Sequence, residues 1–265
     1  MEDFLAFYDK VDKTKVFKMF GFEHLVVIAV ICLLVNLTMF VVARIKKEKA
    51  MKLIKVFGIM VPCLELCFTA WMYMCGVHGI INLLPLHICA LQMFFVPLSV
   101  FMKNDVLRDY VYLTAIVGGI FGIVFPSGIA DYYPIFSFRA IETFLFHYLI
   151  LIIPILMIRI KEHRPNIKNY VNVMIVVMLL VDFTFIIDTA FGQNYMFLRE
   201  GAEVGFIEKV YGISPMLYLV SYISFLFVGA LIMYLPFIII NKKEYFYEGE
   251  FKNGAKKQWC GKRRN

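Results

Sequence analysis

Seven stretches of this sequence are apolar for long enough to approach or cross a lipid bilayer, and short polar, mostly basic clusters separate them. A helix rising about 1.5 Å per residue needs about 20 apolar residues to traverse the hydrocarbon core. The runs lie at 21–43, 53–76, 85–102, 110–126, 139–160, 170–188 and 215–240. The fourth is the shortest and holds Gly118, Gly119 and Gly122. The expected fold is all-α, a polytopic transmembrane bundle of seven helices. Its expected layout is an N-terminal segment over 1–20, the helical domain over 21–240 and a basic tail over 241–265.

Composition agrees with this pattern. Of 265 residues, 61% are hydrophobic and 17% aromatic. Soluble domains are about half apolar, so the excess points to a bilayer rather than to a thicker core. A net charge of +7 in a soluble protein would suggest nucleic acid as a partner. Here the positive residues occupy loops and tail, where they orient a membrane protein instead. With the N-terminus outside, nineteen of the 27 Lys and Arg fall in the cytoplasmic segments 44–52, 103–109, 159–169 and 241–265. Seven fall on the opposite side, and Lys55 sits just inside the second run. That asymmetry predicts an outside N-terminus and a cytoplasmic C-terminus.

The expected location is the cell membrane, as a bacterial multi-pass protein. The expected partners are membrane lipids, with an anionic lipid surface at the basic tail and no nucleic acid. The first twenty residues mix lysines with acids, unlike a cleavable signal. Residues 247–254 read as a hairpin around an Asn253-Gly254 turn, resembling a single MORN-type repeat. Five of the six cysteines lie within apolar runs, which argues against a disulfide framework.

Ionisable side chains are rare and costly within a bilayer, so those inside the runs are functional candidates. On the seven-helix layout His24, His87, Cys89, Gln92, Glu142, His147 and Asp188 fall toward the outer side, and Glu65 lies past the middle of the second run. Asp182 lies deeper, and the cytoplasmic halves are nearly pure hydrocarbon. This distribution predicts a polar cavity opening outward.

Pro85 suits a first helical turn, which would put Cys89 about one turn into the third helix. A helix N-terminus stabilises a thiolate, while an apolar setting opposes it, so a reactive Cys89 needs a base. His87 is two residues away and would point elsewhere on a helix. His147, at similar depth on the fifth helix, is the better partner. Such a Cys–His pair can form a thioester and pass an acyl group to a lipid hydroxyl. By residue type alone, an inert apolar thiol and a hydrogen-bonded imidazole are the favoured explanation of the two. Arg139 lies two helical i,i+4 steps from His147 and suits a lipid phosphate or an interfacial anchor. The 26-residue loop 189–214 is long for a compact bundle, which suggests a lid or a binding role for Gln193, Asn194 and Tyr195.

The segments Pro85-Leu86-His87-Ile88-Cys89, Phe144-Leu145-Phe146-His147-Tyr148 and Gly192-Gln193-Asn194-Tyr195-Met196-Phe197-Leu198 together resemble the YwaF-like family of integral membrane proteins, which includes animal transmembrane protein 164. The resemblance covers about 21–240. It implies phospholipid acyl transfer, with the essential cysteine and histidine at Cys89 and His147. Family sequences commonly read His-Leu-Cys-Asp where this chain has His87-Ile88-Cys89-Ala90. Any carboxylate orienting the base would then be Glu142, Asp182 or Asp188. Acyl-CoA is cytosolic, so an outward site would take its acyl group from another phospholipid.

Two other classes stand beside the enzyme. A transporter would use Glu65, Asp182 and Asp188 for ions or protons, and a receptor or scaffold would bind a ligand without turnover. The last helix has no lysine for a retinal Schiff base, the five histidines form no HExxH pair, and no phosphate-cradling glycine loop is present. Neither a metal nor another cofactor is expected.

Overall fold

The computed structural model describes the backbone of residues 4–201 and 205–261, with side chains at 4–201 and 207–239. Among the described residues the protein is all-helical, with no strands. The helices are α1 (Phe22–Arg44), α2 (Lys47–Met74), α3 (Gln92–Phe101), α4 (Asp105–Val124), α5 (Phe138–Arg159), α6 (Tyr170–Phe191), α7 (Gly205–Ile213) and α8 (Pro215–Gly261). Six of them, α1, α2, α4, α5, α6 and α8, are long and apolar enough to cross a membrane.

The third expected span departs from the sequence reading. Only Gln92–Phe101 is helical; Ile80–Leu83 form a 3-10 turn, and Leu84–Leu91 are irregular. Leu84 precedes Pro85, whose ring disfavours helical geometry in the residue before it, and Leu84 is extended (φ −69°, ψ 133°). Loose turns follow, Leu91 N–H to His87 O and Gln92 N–H to Cys89 O, before regular helix begins. Cys89 therefore sits in a turn ahead of α3, not one turn inside it. Irregular backbone at membrane depth is tolerated where protein or a cavity surrounds it.

The expected hairpin at 247–254 is also absent, because the backbone there continues as part of α8. Glycine at 249 and 254 weakens a helix without forbidding it, and no strand stands nearby to pair with.

Helix α5 is the axis of the bundle. Its sequence is apolar enough to give a surface helix a lipid face, yet Phe146, Leu149, Ile150, Ile152, Ile153 and Leu156 are all buried. It packs against α1, α2 and α4, while α3 fills the angle between α2 and α4. Helix α6 lies on α4, and α7 and α8 complete the far side. The outer helices carry the lipid-facing surface: Leu33, Val56, Leu179 and Val228 are more than half exposed. Two of the helix starts, those of α4 and α5, are fixed by side-chain caps. Asn104 accepts from Leu107 N–H at the start of α4, and Ser137 from Ala140 N–H at the start of α5.

The two ends of the bundle are built differently. At one end residues 4–20 fold back over the helices: Phe17 is fully buried, Phe17 N–H donates to Tyr133 O, and the Trp71 indole donates to Leu5 O. At the other end Asp109 on α4 is fully buried and accepts hydrogen bonds from Asn166 N–H, the Asn169 amide and the Tyr234 hydroxyl. His163 lies 2.7 Å from its second oxygen. Arg108 donates to Ser99 O and Glu162 O, and Glu162 pairs with Lys47 at 2.9 Å. Hydrogen bonds from Lys47 hold the Glu162 carboxyl below its ordinary range. These contacts tie α2, α3, α4, α5, α6 and α8 at a single end.

Candidate functional site

A cavity of about 750 Å³ lies among α2, the irregular segment before α3, α4, α5, α6 and α8, closed over by the loop that contains Tyr195–Phe197. Its polar wall holds Glu65, His87, Cys89, Thr114, Arg139, Glu142, Thr143 and His147. The remaining lining is dominated by Phe, Leu, Val, Met and Tyr side chains.

Helix α4 supplies a ledge of glycines to this cavity. A Cβ added at Gly118 would lie 3.6 Å from the Cβ of Cys89. One added at Gly122 would lie 2.0 Å from Cδ2 and 2.1 Å from Nε2 of His147. Residues four apart share one face of a helix, so the Cys89 and His147 side chains rest on neighbouring steps of α4. Gly119, on the adjoining face, lets α5 come close: a Cβ there would meet Leu151 Cβ at 2.8 Å and His147 O at 3.0 Å. The Gly118-x-x-x-Gly122 spacing is a close-packing signature in membrane helices, and here one of its two sides admits an imidazole.

The environment of His147 defines its chemistry. Nδ1 lies 2.7 Å from Thr143 O, a group that can only accept, so Nδ1 carries the proton. In the neutral ring Nε2 is then left with a lone pair, beside Gly122 and the cavity. The orienting group is thus a backbone carbonyl one turn back on the same helix. Among the described residues no hydrogen bond or ion pair joins Glu142, Asp182 or Asp188 to the ring, so the carboxylate that could have oriented the base is replaced by Thr143 O. Cys89 is partly accessible from the cavity, and no hydrogen bond joins its sulfur to His147.

The other carboxylates have different surroundings. Arg139 Nη1 pairs with Glu142 Oε2 at 2.8 Å, and its guanidinium lies 3.9 Å from the centre of the Phe68 ring. Glu65 is 7% exposed, and its carboxylate accepts no hydrogen bond from the described residues; Arg139 and Glu142 act on it electrostatically. Asp182 faces outward from α6 and does not reach the cavity. Asp188 is fully buried: Oδ1 accepts from Tyr195 N–H at 2.9 Å, and Oδ2 has no hydrogen-bond partner among the described residues.

The loop residues sort in the same way. Tyr195 borders the cavity, donates its hydroxyl to Ile81 O and lies 5.3 Å from His87, ring centre to ring centre. Burial beside Asp188 raises the Tyr195 phenol above its ordinary range. Asn194 holds the loop's own shape, accepting from Arg199 and Glu200 N–H, and Gln193 donates to Asn82. Gln92 is fully buried and donates to Ile88 O and Thr114 Oγ1, which fixes the Cys89 segment to α4. His87 Nδ1 accepts from Met196 N–H at 3.2 Å, joining that segment to the covering loop. Of the candidate residues, Cys89, His147, His87, Glu65, Arg139, Glu142 and Tyr195 share the cavity; Gln92, Asp182, Asp188, Gln193 and Asn194 do not line it.

Several contributors escaped the sequence reading. Thr143 was readable as the i−4 partner of His147, and Tyr218, Tyr222, Leu226 and Gly229 as a stripe at helical spacing along α8. The cluster around Asp109 had no local signal, since its partners come from two distant segments, the α5–α6 connection and α8. Among the described residues no group of His, Cys, Asp and Glu is arranged to hold a metal ion.

No curated protein and no solved structure matches this chain. The model of the TMEM164 family matches residues 19–234, a stretch that contains all seven cavity residues just named. With six helices of membrane-spanning length and most of its residues inside that match, this integral membrane protein belongs to the TMEM164 family.

Proposed function

We propose that this protein is a phospholipid acyltransferase of the transacylase type, with Cys89 as nucleophile and His147 as base. The supporting observation is that both side chains rest on the Gly118–Gly122 ledge of α4 at one cavity, with His147 Nε2 free to accept a proton. In this reaction Nε2 takes the thiol proton, and the sulfur bonds to the ester carbonyl carbon of a donor phospholipid. The ester C–O bond breaks, and the departing lysophospholipid oxygen leaves with the proton from His147. An acceptor hydroxyl then gives its proton to Nε2 and attacks the thioester. The C–S bond breaks, and the thiolate recovers the proton. Thr143 O keeps the ring in the tautomer that both half-reactions require.

Arg139 suits the lipid phosphate, and Glu65, Glu142, His87 and Tyr195 the rest of the head group. Gln92, Asp188, Gln193 and Asn194 act at one remove, by holding the Cys89 segment and the covering loop. Asp182 has no role in this scheme.

The same reading carries the topology. Residues 75–101 run from the end of the bundle near Trp71 to the end near Arg108, which makes a seventh, partly irregular crossing. We place 1–20 outside, the Lys- and Arg-rich ends and 241–265 in the cytoplasm against anionic lipid, and the protein in the cell membrane. Cysteines introduced at residues 13 and 168, probed with a membrane-impermeant thiol reagent, should label only from outside and only after permeabilisation, respectively.

The decisive chemical test is purified protein in phospholipid vesicles, followed by mass spectrometry of the Cys89 peptide. A hydroxylamine-labile acyl adduct is expected, absent in Cys89→Ala. Full acyl transfer by Cys89→Ala would end the proposal. One observation favours a carrier instead: the non-helical Leu84–Leu91 stretch lies at the same cavity as Glu65, whose carboxylate has no hydrogen-bond partner among the described residues. Solute flux in proteoliposomes that is lost in Glu65→Gln and unaffected by Cys89→Ala would decide for that reading.

A further inference from the structure

The cavity is longer than the chemistry at Cys89 requires. One wall is the α8 stripe from Tyr218 to Met233, which at helical rise extends about 22 Å. Polar groups stand at its Tyr218 end: the Tyr218 hydroxyl donates to Phe197 O, Phe197 packs on His87, and Arg139, paired with Glu142, acts electrostatically on His87; Leu113, Ala230 and Met233 line the far part. Met233 is the last lining residue on α8, and the structure beyond it is packed: the Tyr112 hydroxyl donates to Met233 O at 2.8 Å, and the fully buried Tyr234 donates to Asp109. A slot that is polar at one end, apolar along its length and blind at the other, within a bilayer-spanning bundle, has the outline of a lipid with one extended tail.

We propose that this slot binds a single hydrocarbon tail and that Gly229 sets the longest tail it accepts. A Cβ at Gly229 would meet no atom within 4 Å, so a larger side chain there has open cavity to fill. Gly229 lies one turn short of Met233, and a side chain there blocks the last turn of the slot, about 6 Å. An extended chain advances about 1.2 Å per bond, from the same covalent geometry that gives about 3.3–3.6 Å per three-bond peptide unit. The blocked length corresponds to about five methylenes, and the whole slot to a tail of about 18 carbons. The proposal deepens the acyltransferase reading by assigning its acyl-chain subsite, but binding of a tail needs no thioester.

The test uses lysophosphatidylglycerols with saturated tails of 10 to 20 carbons, bound to full-length detergent-solubilised protein and measured by native mass spectrometry. Native protein should gain about fourfold in affinity per carbon, then level off near 18 carbons. Gly229→Leu should level off about five carbons earlier with shorter tails unaffected, and Gly229→Val should shift the limit in the same direction. Gly212→Leu, on α7 and away from the cavity lining, should match native protein. An unchanged limit in folded Gly229→Leu or Gly229→Val would overturn the proposal, as would equal weakening at every length. If Gly229→Leu does not fold, Gly229→Val alone decides. Cys89→Ser should retain the native length limit, and a native protein that shows this limit but forms no acyl adduct on Cys89 counts against the catalytic reading and not against this one.

Discussion

Gly122→Ala adds one methyl group and should disable His147 while leaving the bundle folded. The new Cβ would stand 2.0 Å from Cδ2 of the ring, whereas ordinary contact begins at 3.4 Å. The ring must therefore retreat by about 1.4 Å, a distance that follows from the contact limit of packed carbon atoms. Its Nδ1 is now 2.7 Å from Thr143 O, and such a shift takes that hydrogen bond out of range. Losing the bond costs about 1 kcal/mol, and overpacking adds about 1–3 kcal/mol unless the ring swings into the cavity. The stability change should thus be at most about 4 kcal/mol. The functional change should be larger: displacing a catalytic group by about 1 Å costs about a hundredfold in rate. Acyl-adduct formation on Cys89 and thermal unfolding should be measured on the same preparations. Gly118→Ala is the matched control, because its Cβ would meet Cys89 at an ordinary 3.6 Å. Native rates in Gly122→Ala, or equal losses in the two variants, would refute the role given to the ledge.

Three further outcomes follow from the packing. Gly119→Ala should lower stability by about 1–3 kcal/mol, since its Cβ would strike Leu151 and the backbone at His147 O, forcing α4 and α5 apart. Differential scanning fluorimetry in detergent checks this, and an unchanged midpoint would contradict it. Asp109→Ala should destabilise by about 3 kcal/mol or more, because it strands the donors of Asn166, Asn169 and Tyr234 in a buried site. Susceptibility of the 159–169 connection to limited proteolysis should rise in step. The Glu162 carboxyl is held low when folded, so its stabilising effect is complete above the ordinary carboxylate value of 4.5 and is lost as pH falls through the folded value. Lys47→Met removes the main cause of the shift, so acid sensitivity should be weaker in that variant; identical pH profiles would exclude the pairing.

The sequence by itself determined the membrane setting, six of the spans to within a few residues at most ends, and the identity of the residues able to do chemistry. Those properties rest on local composition: a run of apolar side chains partitions into lipid whatever its neighbours, and a family match needs only residues in order. The third crossing was misjudged for the same reason. Hydropathy counts Leu84–Leu91 as readily as helix, but the backbone there is irregular because a cavity and its covering loop satisfy it.

Tertiary structure decided which polar residues meet. Asp182 and Asp188 differ in sequence only in depth, yet a rotation of six residues along α6 turns one outward and buries the other. Glu142 stands five residues from His147, a spacing that does not face on a helix, and packing gives it to Arg139 and leaves the ring to a carbonyl of its own helix. The cavity itself belongs to α4, α5 and α8 together. Its shape depends on missing side chains at Gly118, Gly122 and Gly229, and a glycine reveals what it makes room for only when the opposing helix is in place.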